Sequence, residues 1–428
     1  MSSDPTGSTP SSEPAVSVQE FRTALRRWLQ DTLEPDDPVA RGVRRFRALT
    51  PADLTAERGL QARLHAAGYA GLTVPTEYGG RGLTAAHQRV FDEETSSYRL
   101  PDFGVASMTT ALCLRTMLAH SAPDMLRRHV PRILRGEELW AQFFSETEAG
   151  SDLAGVRTRA TRRDDGWVLD GGKVWSSGAQ YCDFGMCLTR TNWKVAKHRG
   201  LTWFAVPLDA PGVRIEPIHQ IGGEAEFCQE FFDGVVIDDG ERIGEVDDGW
   251  TVARTVLVLE RGFAEEGATV PSLAGEHTDL VALVRASGRA QDPVVRQELA
   301  TVLTHDYAVA HLEQWIAEYM AGSGGLDAGV AAYAALAAGT FTPERAKAVM
   351  RIVGRDAVLW PAGDTERGAP ALEYLNSRRK AIAGGTNEVQ RNGIGEQVLG
   401  LPREPSFDSR MPFDEVLRAA RNWSGRVG

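Results

Sequence analysis

Apolar residues recur at helical spacing through the first third of the chain. The sequence Ser17-Val-Gln-Glu20 opens the first such stretch. It has the form of a capping box, in which a Ser hydroxyl and a Glu carboxylate satisfy each other's backbone amides. Thr50-Pro51 has the form of a second helix start. A later helical stretch, from Met117 to Arg135, contains Pro131, which is expected to kink or divide it.

The pattern changes to alternation near residue 139. From Val156 to Ala160, small or apolar residues alternate with arginines, and Asp164-Asp-Gly166 follows as a turn signal. Alternation with a period of two predicts strands, and an Asp-Gly turn between two such runs predicts a hairpin. Further strand-like runs follow at residues 184–190, 201–207, 213–218 and 230–237.

Helical periodicity returns at Asp248 and continues almost to the C-terminus. Asp292-Pro293 and Thr342-Pro343 have the cap-plus-proline form of helix starts. Between them, Gly322-Ser-Gly-Gly325 is expected to separate two helices.

Helices, then strands, then helices is the element order of an α+β protein. The sequence predicts an N-terminal helical domain over residues 17–138, an antiparallel β domain over 139–246, and a C-terminal bundle of the four-helix type over 247–404. Residues 1–16 are polar and rich in Pro and Ser, so they are predicted to be a disordered tail. Residues 405–428 are assigned to a C-terminal tail.

Composition narrows the classes of function. The 428 residues carry a net charge of -11, which argues against nucleic acid as the main partner. No apolar run reaches the roughly 18 residues of a membrane span, so none is predicted. The N-terminus lacks the basic start and apolar stretch of a signal peptide, and the four cysteines form no Cys-x-x-Cys pair. These features predict a cytoplasmic protein without a metal site.

Three segments could hold a planar, phosphorylated ligand. Residues 142–152 supply several hydroxyls and loop amides. In Lys173-Val-Trp-Ser-Ser177 a planar ring could lie against the indole of Trp175. In residues 383–392, two glycines allow close backbone approach and Thr386 can cap a helix. The simpler interpretations are a core tryptophan, ordinary turn serines and a loop-to-helix junction.

Together and in this order, these segments resemble the acyl-CoA dehydrogenase family of flavoproteins, over about residues 18–404. The resemblance implies tightly held FAD, α,β-desaturation of an acyl-CoA in lipid metabolism, electron transfer to an electron-transfer flavoprotein, and a tetramer. The matching stretches are Pro75-Thr-Glu-Tyr-Gly-Gly-Arg-Gly82, Phe144-Ser-Glu-Thr-Glu-Ala-Gly-Ser-Asp152, Trp175-Ser-Ser177, Gly385-Thr-Asn-Glu-Val-Gln-Arg391 and Val398-Leu-Gly-Leu-Pro-Arg403.

The resemblance also implies roles for individual residues. Ser145 would bond the pyrimidine edge of the flavin, Trp175 would flank its ring, and Ser177 would reach its N5/O4 side. Ser151 would lie near both the cofactor and the pantetheine arm of the substrate. The remaining residues of the implied site are Phe143, Thr386 and Glu388 for the cofactor and Gly384 and Gly385 for the substrate.

The catalytic base is where the sequence departs from many family members. Gly384 occupies the position at which those members carry a catalytic Glu, and glycine cannot accept a proton. Glu260 shares a helical face with apolar residues, so burial is expected to raise its pKa toward that of a general base. Val-Leu-Glu260-Arg-Gly also resembles the base position of isovaleryl-CoA-type dehydrogenases. The alternatives are a Glu260 paired with an arginine and, for the neighbouring Arg261, an ion pair instead of a substrate contact.

Two stretches with which one subunit of the family completes another's cofactor site are not recognisable here. Residues 285–296 stand in place of the Arg-x-x-x-x-Phe-Gly stretch, and residues 353–363 lack the Gln-x-x-Gly-Gly-x-Gly pattern. A homo-oligomer or a hetero-oligomer with a related chain is therefore expected. Two other functions stay open: a non-catalytic partner subunit, and a flavin oxidase or monooxygenase on the same fold.

Overall fold

The computed structural model describes the greater part of the chain. The described residues are 16–35, 49–101, 105, 108–260, 280–323, 327–359, 365–403, 406 and 408–421. Arg261 and the first fifteen residues of the predicted N-terminal tail lie outside them.

The N-terminal domain is helical, as predicted. The capping box at its start is confirmed, because Ser17 N–H donates to Glu20 Oε2 at 3.0 Å and Glu20 N–H donates to Ser17 Oγ at 3.3 Å. A π-helical turn at Met108–Cys113 leads into the fourth helix. The helices are α1 (Val18–Thr32), α2 (Pro51–Ala66), α3 (Ala85–Thr95), α4 (Leu114–His120) and α5 (Pro123–Leu134).

The central domain is one twisted, mostly antiparallel sheet. All four strand-like runs predicted after the hairpin are confirmed. Strand order across the sheet is β6-β7-β3-β2-β4-β5-β8, with β1 pairing parallel to β4 at its side. The strands are β1 (Trp140–Phe143), β2 (Arg159–Arg163), β3 (Gly166–Ser177), β4 (Phe184–Arg190), β5 (Leu201–Pro207), β6 (Val213–Ile218), β7 (Phe227–Ile237) and β8 (Arg242–Ile243).

Helices return after the sheet and form the C-terminal domain. One apolar cluster, which includes Val258 and Ile316, packs the first of these helices against the two long ones. The helices are α6 (Gly249–Glu260), α7 (Leu280–Ala286), α8 (Pro293–Ser323), α9 (Ala328–Val353), α10 (Thr365–Asn376), α11 (Asn387–Gly393) and α12 (Phe413–Arg421). Among the described helices, none is both long and apolar enough to cross a bilayer.

Several local predictions were wrong. Pro131 lies inside α5, so the expected division of the helix there is wrong, while the alternative of a kink stays a prediction; the break falls earlier, at Ser121 and Ala122. Pro343 does not start a helix but lies buried within α9. Of the two helix starts predicted at prolines in this domain, only the one at Pro293 is confirmed, where α8 begins. In addition, a helix, α12, forms within the segment assigned to a C-terminal tail.

A buried charge cluster joins the N-terminal domain to the sheet. His129 on α5 contacts the Glu138 carboxylate at 2.9 Å through Nδ1 and the Glu241 carboxylate at 3.0 Å through Nε2. Burial alone favours the neutral imidazole, but the hydrogen bonds to these two carboxylates outweigh it and raise the pKa of His129 to about 9. The imidazole is therefore charged at neutral pH and holds the two carboxylates together.

This cluster predicts a stability change on the alkaline side of neutrality. The pKa of His129 is raised above its unfolded value of about 6.5, so its contribution is complete below that pH and is lost as pH rises through about 9. We expect the free energy of unfolding of the wild type to fall more than that of His129→Gln between these values. Urea unfolding across the same pH series provides the measurement. His311→Gln, at an exposed position on α8, is the control, and parallel pH curves for wild type and His129→Gln would contradict the prediction.

Candidate active site

A hydroxyl-bearing loop and a distorted strand meet at the C-terminal end of β1. Ser145 follows this strand, and its carbonyl accepts a hydrogen bond from Val174 N–H of β3 at 3.0 Å. The next residue of β3 is Trp175. The structure therefore brings the first and second sequence segments together. Ser145 and Ser177 are both half-buried at this junction.

Trp175 adopts a backbone conformation that is unusual for a large side chain. Its φ is 68°, and the pairing of β3 with β7 shifts by one residue between Val174 and Ser176, which makes Trp175 the extra residue of a bulge. The indole is 59% exposed and meets the Phe227 ring edge-to-face, with centroids 6.0 Å apart. The alternative of a core tryptophan is thus wrong. Strain of this kind persists only where the surroundings enforce it, and it clusters at ligand sites.

Buried polar groups hold the residues on both sides of Trp175. Lys173 Nζ donates to the Phe144 carbonyl at 2.8 Å and to Glu146 Oε1 at 2.9 Å. On the other side, the Ser176 hydroxyl donates to the buried carboxyl of Glu230. Burial raises the pKa of Glu230 to about 7. Sequence reasoning gave no role to these groups; the one available signal was that Lys173 is one of few lysines in an arginine-rich chain.

The two alternative base positions of the sequence lie beside each other. Glu260 is the last residue of α6, and a methyl group built onto Gly384 would lie 3.8 Å from Glu260 Oε1. Gly384 and Gly385 have φ values of 67° and 98°, which glycine adopts without strain. The Glu260 side chain is exposed in this chain. The expected burial on an apolar face therefore holds for its neighbours Ala253 and Val256 but not for the carboxylate.

The glycine loop, formed by Gly384 and Gly385, is held in place by the helix that follows it, α11. Gln390 of α11 is buried and donates from Nε2 to the carbonyls of Gly384 and Gly385, at 2.9 and 3.1 Å. Thr386 caps α11 by accepting the Val389 N–H at 3.2 Å, as its sequence position predicted. The same motif contained Gln390, but its role depends on a fold that the sequence alone did not give.

Contacts from the C-terminal domain connect this loop to the strand that carries Trp175. Arg379, which precedes the glycine loop, forms an ion pair with Glu226 at 2.5 Å and lies over the Phe227 ring at 5.9 Å. Phe227 in turn contacts Trp175. The indole, the glycines and Glu260 thus border one region between the sheet and the C-terminal helices.

The other predicted site residues are placed less directly. Phe143 is fully buried and packs near Phe232 inside the sheet domain, so its ring supports the sheet and faces no solvent. Ser151 is exposed on the loop after β1. Glu388 is exposed on α11, with Arg391 of the same helix 3.8 Å away.

Comparison with known proteins gives the family of the chain. Sequence models of the acyl-CoA dehydrogenase N-terminal, middle and C-terminal domains match residues 17–137, 141–235 and 247–399. Acyl-CoA dehydrogenase IpdE1 of Mycobacterium tuberculosis is 37% identical over 396 residues, which cover 90% of this chain and 98% of the relative.

The chain belongs to the acyl-CoA dehydrogenase family. It is an oxidoreductase that acts on CH–CH bonds, and FAD is its cofactor. Two solved structures of similar chains are described as pairs of components. "Tcur3481-Tcur3483 steroid ACAD" is 27% identical with a TM-score of 0.74, covering 92% of this chain and 99% of that one. The ChsE4-ChsE5 complex from Mycobacterium tuberculosis is 26% identical with a TM-score of 0.68, covering 92% and 100%.

The residues of this acyl-CoA dehydrogenase fit the flavin. The exposed indole of Trp175 offers a flat apolar surface to a planar ring. The hydroxyls of Ser145 and Ser177 can hydrogen-bond polar atoms at a ring edge. Their positions beside the bulge agree with the roles that the resemblance implied, and those assignments remain proposals.

The strain at the bulge predicts that glycine is more stabilising than alanine at position 175, the reverse of the usual order in a strand. Trp175→Gly and Trp175→Ala both remove the indole, but only glycine adopts a φ of 68° freely. We expect the glycine variant to be more stable by about 1 kcal/mol, measured by urea unfolding of the purified variants. The same pair of substitutions at Val168, in the regular part of β3, is the control and should favour alanine. Equal stability of the two variants at position 175 would argue against the strain.

Proposed function

We propose that this chain catalyses the FAD-dependent α,β-desaturation of an acyl-CoA thioester, with Glu260 as the catalytic base. The observation that carries the proposal is the approach of the Glu260 carboxylate to Gly384. A carboxylate from α6 thereby reaches the place where a glutamate at position 384 would project. Glycine at 384 leaves that space to Glu260 and the substrate.

Different residues of the chain have different roles in the proposed reaction. FAD, when bound, supplies the acceptor for the hydride that leaves the β-carbon. Glu260 takes the α-proton onto a carboxylate oxygen, and the electron pair of the broken Cα–H bond forms the π bond between Cα and Cβ as the β-hydrogen leaves with the electron pair of its own bond. Trp175 orients the planar ring, and Ser145 and Ser177 fix its polar edge. Bound substrate and cofactor would cover Glu260, which the chain alone leaves exposed, and exclude water from the base.

Removal of the base tests the proposal. Glu260→Gln keeps the size of the side chain but cannot accept the proton. We expect kcat to fall about 10²- to 10⁴-fold, the usual contribution of a positioned general base, with unchanged FAD content. The measurement is reduction of an artificial acceptor with a panel of acyl-CoA thioesters that includes branched and steroid-linked acyl groups. Glu344→Gln, at an exposed position on α9, is the matched control.

Because position 384 lies close to the Glu260 carboxylate, a rescue experiment is also possible. Adding Gly384→Glu to Glu260→Gln returns a carboxylate to the same region and should restore part of the lost kcat. The restoration will be partial, because a non-glycine residue at a φ of 67° costs about 1–2 kcal/mol. Full activity of Glu260→Gln would overturn the assignment of the base. If activity is seen only in a complex with a related chain and the complex tolerates Glu260→Gln, a non-catalytic subunit is favoured.

The electron acceptor is part of the same proposal. We propose an electron-transfer flavoprotein as the physiological acceptor. Slow reaction of the substrate-reduced enzyme with O₂ supports this proposal, whereas fast stoichiometric H₂O₂ formation would favour the oxidase alternative.

We further propose that the chain assembles with a second, related chain. Two solved relatives are described as pairs. The segment that stands where the family's inter-subunit stretch is expected makes contacts within its own chain. Arg289 donates to the carbonyls of Arg351 and Ile352, at 3.0 and 3.1 Å, and pairs with Asp292 at 2.8 Å. Arg289 is thus engaged inside its own domain.

This proposal predicts incomplete cofactor loading of the chain expressed alone. We expect less than one FAD per chain, because part of the cofactor site would come from the partner. Co-expression with a dehydrogenase-like chain encoded beside it should yield a mixed oligomer with higher flavin content. Native mass spectrometry and the visible spectrum give the readouts. A stable homotetramer with one FAD per chain would contradict the proposal.

A further inference from the structure

The C-terminal segment packs on the loop between β4 and β5, beside the loop that carries Ser151. Phe413 N–H donates to the Val195 carbonyl at 2.9 Å, and Asp414 N–H donates to the Trp193 carbonyl at 3.0 Å. The Phe413 side chain is only 2% exposed and packs against the Trp193 ring. Lys194 adds an ion pair to Asp414 at 2.6 Å. This segment is anchored by backbone, apolar and ionic contacts together.

Two basic side chains extend these contacts to the Ser151 loop. Lys197 Nζ contacts Asp152 Oδ1 at 2.9 Å and Asp408 Oδ2 at 2.6 Å, so one ammonium joins the loop to the C-terminal segment. Its side chain is about nine-tenths buried. A lysine placed between two carboxylates forms stronger contacts than an exposed pair, because each carboxylate stabilises the same buried charge.

The second side chain is Arg190 at the end of β4. It is fully buried, and its guanidinium donates to the carbonyls of Ala154, Val156 and Lys197. The Phe413 ring covers this cation, with the guanidinium carbon 4.0 Å from the ring centroid. Phe413 therefore shields the charge that holds the backbone just after Ser151 and Asp152.

We propose that Asp408 and Phe413 are positioning residues that hold the Ser151–Val156 loop in place for the acyl-CoA. The proposal rests on the proposed function, in which Ser151 lies at the pantetheine arm. Neither residue needs to touch the substrate. Asp408 acts through Lys197 on Asp152, and Phe413 acts through Arg190 on the backbone carbonyls of Ala154 and Val156. The C-terminal segment would thus influence substrate binding without supplying a catalytic group.

The test compares loop order and substrate binding in full-length variants. We expect Asp408→Asn, Phe413→Ala and their combination to increase amide hydrogen exchange in peptides that cover residues 146–158. The KM for acyl-CoA should rise about tenfold in the double variant, as expected for the loss of about 1.4 kcal/mol of binding, with kcat within about twofold of wild type. Arg418→Ala is the control, since its guanidinium contacts Asp414 and Glu415 of its own helix and should leave both readouts unchanged.

A rescue experiment separates positioning from general destabilisation. In the full-length chain, Asp408→Glu keeps a carboxylate beside Lys197, so it should retain most of the exchange protection and the low KM that Asp408→Asn loses.

Unchanged exchange in the 146–158 peptides would overturn the proposal. Increased exchange with an unchanged KM would also overturn it, because the loop would then be held for stability alone. The amide hydrogen-exchange measurement does not require a substrate. A wild-type chain without acyl-CoA turnover would therefore contradict the proposed function, while the effect of Asp408 and Phe413 on the loop would still be decided.

Discussion

The candidate site depends on one buried ion pair, between Lys173 and Glu146. Their side chains are 0% and 5% exposed, so each charge needs its partner, and removal of one partner of such a pair typically costs about 3–5 kcal/mol. Burial favours a neutral carboxyl, but the Lys173 charge and two backbone N–H donors outweigh it and lower the pKa of Glu146. The Glu146 carboxylate is therefore stabilised in its charged form in the folded chain.

This pair also connects three strands. The Lys173 ammonium binds the Phe144 carbonyl after β1, and the Glu146 carboxylate accepts the N–H groups of Arg157 and Thr158 before β2, at 2.6 and 2.9 Å. Ser145 lies between two residues that Lys173 binds. The position of the predicted flavin-binding hydroxyl thus depends on this charge pair, which also holds the residue two positions before Trp175 on β3.

The fold could be predicted from the sequence to the extent that local signals decide it. The capping box at Ser17 and the period-two strands are properties of short windows, and the structure confirms them. The prolines show where local signals fail. Pro343 has the form of a helix start, but it lies buried within α9, where packing offsets a local cost of about 3 kcal/mol. The parallel pairing of β1 with β4 was likewise missed, since pairing partners depend on the tertiary fold.

For the site, too, sequence motifs predicted some features, while others depend on the tertiary fold. The motif resemblance indicated Glu260 and Gly384 as alternative base positions, and the structure places them side by side. Motifs could not indicate that Trp175 is exposed on a bulge, because the bulge arises from its register with β7. Nor could they reveal the roles of Glu230 and Gln390, whose burial exists only in the folded chain.

The proposed base, Glu260, lies beside Gly384, and this neighbourhood bears on whether a second carboxylate is needed there. A glutamate at 384 would begin with its Cβ 3.8 Å from Glu260 Oε1, and carboxylates brought within about 4–6 Å of each other oppose each other's ionisation. Because this carboxylate lies on α6, position 384 can be a glycine. Gly384 and Gly385 then both adopt a positive φ, and Gln390 donates a hydrogen bond to the Gly384 carbonyl. Under the proposal that Glu260 is the base, glycine at 384 needs no further explanation, and its presence does not by itself imply a silent subunit.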